Sequence, residues 1–228
     1  MTASAALNIE QARFNMVEQQ IRPWDVLDQS VLDLLYVVPR EQFVPSIHRA
    51  LAFTDLEIPL EADTRHGAHM LAPRVEARIL QALHLKKSDR VLEVGTGSGY
   101  LTALLAHRAA QVVSVEINPT LAAFARNNLA RHGIDNVQLI TGDASRGWAD
   151  HAPYDAIVLG GSTPILPNEL LAQLAPGGRL FAVVGDAPIM VARLYTSDAA
   201  GGHTETDLFD TMLAPLAHAM QAPRFQFT

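Results

Sequence analysis

Three glycines on alternate residues, Gly95, Gly97 and Gly99, follow the apolar run Val91-Leu92-Glu93-Val94 and lead into a helical stretch at Tyr100. Glycine lets backbone pass close to a ligand, and a helix start just beyond it offers free N–H groups. Thr96 and Ser98 fill the alternate positions of the loop. A loop of this kind also serves as a plain strand-to-helix turn, so further residues must decide its use. Glu116 ends the next apolar run, Val112-Val113-Ser114-Val115, roughly 20 residues on, where a dinucleotide fold sets a carboxylate on ribose hydroxyls. Asp143, followed by Ala144, closes a third run, Ile140-Thr141-Gly142. A turn aspartate is the simpler reading of that position alone. At the end of a third consecutive strand, Asp143 can instead reach an adenine amino group. Three strand ends aimed at one crevice make a site for a nucleoside-containing ligand.

The residues around the loop narrow the ligand. A dinucleotide fingerprint wants glycine or alanine where this chain has Tyr100, so NAD fits badly. No Gly-Lys-Ser/Thr follows, which excludes a phosphate loop of the Walker type. Glu93 stands two residues before Gly95, where its charge opposes a pyrophosphate and suits a sulfonium or an ammonium. S-adenosylmethionine carries both cations, a ribose for Glu116 and an adenine for Asp143.

The flanking elements have to hold these groups in place. Short apolar runs at 90–94, 111–116, 137–140 and 155–159 read as buried strands, with helices over 99–107, 119–132 and 167–174 between them. Pro176-Gly177-Gly178 reads as a turn feeding a strand at 179–184, and 190–196 with 204–209 reads as a hairpin around Gly201-Gly202. The fold class is therefore α/β, a doubly wound, mostly parallel sheet with antiparallel C-terminal strands. Upstream, apolar spacing gives helices over 9–22 and 31–38, the second opened by Asp28 and closed by Pro39. The segment 43–60 reads as an irregular arm, and Pro73 starts a third helix through Leu83. One domain over 1–228 is expected: N-terminal helices and a substrate-side loop to 85, a cofactor-binding core over 86–184, and terminal strands over 185–228.

Composition limits the alternatives. The 228 residues, 49% of them hydrophobic and 18% charged, suit a compact folded chain. The absence of cysteine removes thiolate nucleophiles, disulfides and cysteine-ligated metals. With 17 basic against 24 acidic residues, a net charge of -7 and no basic cluster, nucleic acid is not an expected partner. No apolar stretch approaches the roughly 20 residues needed to cross a bilayer. The N-terminus has no basic segment leading into an apolar core, so a cytoplasmic location is expected. His66 and His69 lack a third ligand nearby, and no metal site is expected.

Four segments together resemble the class I S-adenosylmethionine-dependent methyltransferases, and within them the protein-L-isoaspartate O-methyltransferase family. They are Met16-Val17-Glu18-Gln19-Gln20-Ile21-Arg22, Val38-Pro39-Arg40-Glu41-Gln42-Phe43-Val44-Pro45, the glycine loop, and Leu174-Ala175-Pro176-Gly177-Gly178-Arg179-Leu180. The likeness runs from about residue 16 to Leu216. It implies transfer of a methyl group to a carboxylate of a peptide or protein, with S-adenosylmethionine as cofactor. Glu93, Gly95, Thr96, Gly97, Ser98, Gly99, Tyr100, Glu116, Asp143 and Ala144 would form the cofactor site. The substrate-side loop of the family reads Gln-Thr-Ile-Ser, one residue, Pro. Here it is Ala68-His69-Met70-Leu71-Ala72-Pro73, with Leu71 in the place of the catalytic serine and His69 in that of the threonine. His69, Met70 and Leu71 are the expected substrate contacts. His69 is the candidate replacement donor, or a base for a hydroxyl or amine acceptor. Two alternatives fit the same residues: a methyltransferase with another acceptor, and a cofactor-binding module without catalysis.

Overall fold

A computed structural model describes residues 3–61, 67–198 and 200–221. Helix α1 (Ala3–Asn15) runs into a wider π-helical turn, Met16–Ile21, whose Met16, Val17 and Ile21 are buried. The single helix expected over 9–22 thus changes its winding midway, and Arg22-Pro23 ends it in a short 3-10 turn. Helix α2 (Gln29–Val37) begins as expected, with the Asp28 carboxylate accepting from the Ser30 N–H at 2.9 Å.

The arm expected to be irregular contains a 3-10 segment at Ser46–Leu51 and strand β1 (Ile58–Pro59). Strand β1 pairs antiparallel with β2 (His69–Met70), with Pro59 opposite His69 and Ile58 opposite Met70. A two-residue pairing has too short a pattern to show in sequence. Helix α3 (Pro73–Leu83) follows, with Pro73 in its first turn.

Among the described residues the main sheet has seven strands: β3 (Arg90–Val94), β4 (Gln111–Glu116), β5 (Val137–Thr141), β6 (Tyr154–Thr163), β7 (Leu174–Asp186), β8 (Ile189–Ser197) and β9 (His203–Asp210). Their order is β5-β4-β3-β6-β7-β8-β9, parallel as far as β7 and antiparallel from β7 to β8 and from β8 to β9. Helices α4 (Tyr100–Ala106), α5 (Pro119–Arg131) and α6 (Asn168–Leu171) connect the parallel strands. Helix α6 is shorter than the 167–174 expected, because β7 already begins at Leu174. Pro176-Gly177-Gly178 lies inside β7, where the pairing with β6 shifts register between Tyr154 and Ala156.

Side chains alternate across the sheet, so its two faces build two cores. Val91, Ala156, Val158, Phe181 and Val183 pack with the N-terminal helices and α4. Leu92, Val94, Ile157, Leu159 and Leu180 pack on the opposite face with Leu170 of α6. The chain leaves β3 toward β4 on one side and returns to β6 on the other. The carboxyl ends of β3 and β6 therefore flank a point where strand order reverses, which is where open α/β sheets bind ligands.

Candidate active site

The glycine loop lies at that reversal. Gly95, Gly97 and Gly99 all have left-handed backbone, with φ of 90°, 57° and 81°. A side chain at Gly97 or Gly99 would also crowd Leu60 or Ala125, so both conformation and space demand glycine. Gly95 donates to the Val115 carbonyl at 2.8 Å. Gly97 donates to Oε2 of Glu116 at 2.9 Å, and the Asn118 N–H donates to Oε1 at the same distance. Two backbone donors fix the Glu116 carboxylate at the mouth of β4, each leaving its oxygen a lone pair for a ligand.

The cleft in front of the loop has a volume of about 520 Å³. Val94, Gly95 and Gly97 form one wall, Glu116 and Ile117 the next, and Gly142, Asp143, Ala144 and Ser145 the third. Asp143 Oδ1 accepts from the Ser145 N–H at 2.9 Å, and Oδ2 lies 2.7 Å from Nδ1 of His218. The hydrogen bond from His218, aided by that from Ser145, holds the Asp143 carboxyl below its ordinary value.

Four residues expected at the cofactor lie behind the loop instead. Glu93 is buried on the α4 face of the sheet, where Oε2 accepts from Thr102 Oγ1 at 2.5 Å and Ser114 Oγ at 2.6 Å. Burial pushes its carboxyl up to about 8, against the pull of those two hydroxyls. Period-two alternation explains the placement, since Leu92 and Val94 occupy the other face. Thr96 is hydrogen-bonded to Ser114 at 2.6 Å, the Ser98 carbonyl accepts from Asn128 Nδ2 at 2.9 Å, and Tyr100 packs edge-on against Phe43. These residues brace the loop from beneath.

The substrate-side residues divide in the same way. His69 lines the cleft with Gly67 and Ala68, whereas Met70 and Leu71 are buried in the core. The Leu71 carbonyl accepts from Arg40 at 2.6 Å. Arg40 is fully buried, pairs with Glu76 of α3, and donates to the Ala52 carbonyl at 3.0 Å. It thereby ties the arm, the substrate-side segment and α3 together. Glu61 adds a second tie, accepting from the Ala68 N–H at 2.9 Å and from Asn118 Nδ2 at 2.7 Å. Among the described residues no cluster of three metal-ligating side chains occurs, and His66 lies outside them.

One wall escapes sequence reasoning altogether. Leu213, Ala214, Pro215, Leu216 and Ala217 also line the cleft. They are held on β6 by Ser162, which donates from its N–H to the Ala214 carbonyl at 2.9 Å and from its hydroxyl to the Leu213 carbonyl at 2.7 Å. Leu216 lies over Gly161 and Gly95, which have no side chains to obstruct it. The pair Gly160-Gly161 at the end of the fourth parallel strand was the available signal.

A mostly parallel seven-stranded sheet with a glycine loop after its first core strand and acids after the next two defines a class I methyltransferase. The family model "Protein-L-isoaspartate(D-aspartate) O-methyltransferase" matches residues 11–221. The chain belongs to that family. A Koribacter versatilis protein-L-isoaspartate O-methyltransferase is 39% identical over 204 residues, 90% of each chain. A Rhodopseudomonas palustris relative of the same name is 46% identical over 173 residues, 76% of this chain and 69% of that one. Among solved structures, a protein-L-isoaspartate O-methyltransferase superposes with TM-score 0.78 at 24% identity, covering 90% of this chain and 66% of that one. A putative Plasmodium falciparum member, solved with S-adenosyl-L-homocysteine, gives 0.71 at 23% identity and covers 89% and 97%. Among the described residues no helix is long and apolar enough to cross a membrane.

Proposed function

We propose that this methyltransferase uses S-adenosylmethionine to methylate the free carboxylate of an isoaspartyl residue in a peptide or protein. The observation that carries the reading is the glycine loop running past the Glu116 carboxylate into a cleft that Asp143 closes at the next strand end. When bound, S-adenosylmethionine supplies an electrophilic methyl on a sulfonium. In this reading Gly95 and Gly97 let backbone approach it, Glu116 accepts from its ribose hydroxyls, and Asp143 with Ala144 receives its adenine. Gly99 starts α4, and Glu93, Thr96, Ser98 and Tyr100 hold the loop in shape.

The acceptor needs little activation. A carboxyl group with a reference pKa near 4 is already ionised at neutral pH, so positioning and desolvation matter more than a general base. The hydroxyl that Leu71 lacks would have been a positioning donor and not a base. Family membership favours this enzyme over a non-catalytic module.

The test is methyl transfer from labelled S-adenosylmethionine to an isoaspartyl peptide and its aspartyl counterpart, with cofactor affinity measured by calorimetry on the same protein. Selective labelling of the isoaspartyl peptide is expected. Folded protein that binds no cofactor overturns the cofactor assignment. Cofactor binding without transfer to either peptide overturns the acceptor.

A further inference from the structure

The described residues lining the cleft include four carboxylates, Glu57, Glu61, Glu116 and Asp143, and neither lysine nor arginine. An anionic acceptor entering such a cleft meets like charge, and the repulsion grows as water is excluded. Backbone and asparagine donors engage Glu116 and Glu61, which disperses their charge without cancelling it. Asp143 is paired with His218, its Oδ2 lying 2.7 Å from Nδ1.

His69 is the one described lining side chain that can become cationic near neutral pH. The β1–β2 register sends Met70 into the core and leaves His69 on the cleft side. Its Nδ1 is buried and has no hydrogen-bond partner, a state that is costly until something satisfies it. Glu57 shares this wall. Burial raises its carboxyl, with the charges of His69 and Arg74 opposing the rise. Arg74 is itself tied to Asp55, and the lining segment Leu213–Ala217 carries no charge.

We infer that His69, as the imidazolium, is the counter-charge that receives the acceptor carboxylate. The inference rests on the isoaspartyl reading above and sets the sign of a pH effect. An imidazolium anchor is lost as pH rises through the imidazole titration. A histidine serving as general base for a hydroxyl or amine gains activity over the same range.

The experiment measures isoaspartyl peptide binding by calorimetry with S-adenosylhomocysteine present, and kcat and KM for transfer, from pH 5.5 to 8.5. Wild-type protein is expected to bind the peptide more weakly as pH rises. His69→Gln is expected to weaken binding about ten- to a hundred-fold at pH 6, chiefly through KM, and to flatten the profile. His69→Lys is expected to keep tight binding to higher pH. Unchanged cofactor affinity in each variant shows that the fold survives. Transfer by the wild type together with an unaffected His69→Gln overturns this inference alone, as does binding that tightens with rising pH. A wild type that binds cofactor and neither binds nor methylates the peptide overturns the acceptor reading and this inference with it.

Discussion

Replacing Arg40 by alanine tests whether one buried side chain holds the substrate-side wall in place. The guanidinium joins three elements: it pairs with Glu76 of α3, donates to the Ala52 carbonyl of the arm, and donates to the Leu71 carbonyl beside the cleft. It also lies 5.0 Å from the Tyr100 ring centre, directly behind the glycine loop. Alanine leaves two carbonyls without their donor and Glu76 buried without its cation. Removing one partner of a buried pair costs about 3–5 kcal/mol. For a chain of this size that corresponds to a fall in Tm of roughly 6–20 °C. Burial already raises the Glu76 carboxyl and Arg40 opposes the rise, so the variant drives it further up. A carboxyl raised in the folded state gives stability that is present below its unfolded pKa and lost as pH climbs through its folded one. The Arg40→Ala penalty is therefore expected to be smaller at pH 5 than at pH 8. Urea unfolding followed by circular dichroism at both values measures it. A penalty below about 1 kcal/mol, the scale of an exposed ion pair, would refute the role assigned to Arg40. A penalty equal at both pH values would refute the account of Glu76.

Two further perturbations probe the cofactor side. Glu93 is raised to about 8 from 4.5, so its stabilising contribution is complete below pH 4.5 and declines up to about pH 8. Linkage sets the full change at up to about 5 kcal/mol, and Glu93→Gln is expected to remove that slope, matching the wild type below pH 4.5 and exceeding its stability by a growing margin up to about pH 8. Unfolding free energies of the two proteins that run parallel from pH 5 to 8.5 would contradict it. At Gly160 a Cβ would lie 2.6 Å from the Gly95 carbonyl oxygen, a backbone atom with no room to yield. Gly160→Ala is expected to cost on the order of 1–3 kcal/mol and to weaken cofactor binding, read by thermal shift and calorimetry.

The ligand-facing half of the site was legible because its signals are local. Alternate glycines and an acid at a strand end follow from the backbone conformation of a few consecutive residues. Glu93 shows the limit of that approach: its distance from Gly95 is visible in the sequence, but the face it takes depends on which neighbours enter the second core. The segment Leu213–Ala217 left no local mark, since it is held through backbone bonds to Ser162, some fifty residues earlier. Leu71 looked like a cleft residue because the resemblance aligns it with one. The short β1–β2 register, too brief to read as a pattern, puts Met70 in the core and His69 on the cleft, and Leu71, just past it, is buried in the core as well.

The wall made by Leu213 to Ala217 also gives the cleft a history. Among the described residues its first lining residue is Glu57 and its last is Ala217, so a ribosome working at about 5–20 residues per second needs roughly 10–30 s to pass from one to the other. Through that interval the parallel strands can pair while the glycine loop stays uncovered, because Leu216 has not yet been made. The cofactor cleft is thus completed after nearly all the sheet that supports it, and a nascent chain stalled before Leu213 carries the loop without its cover.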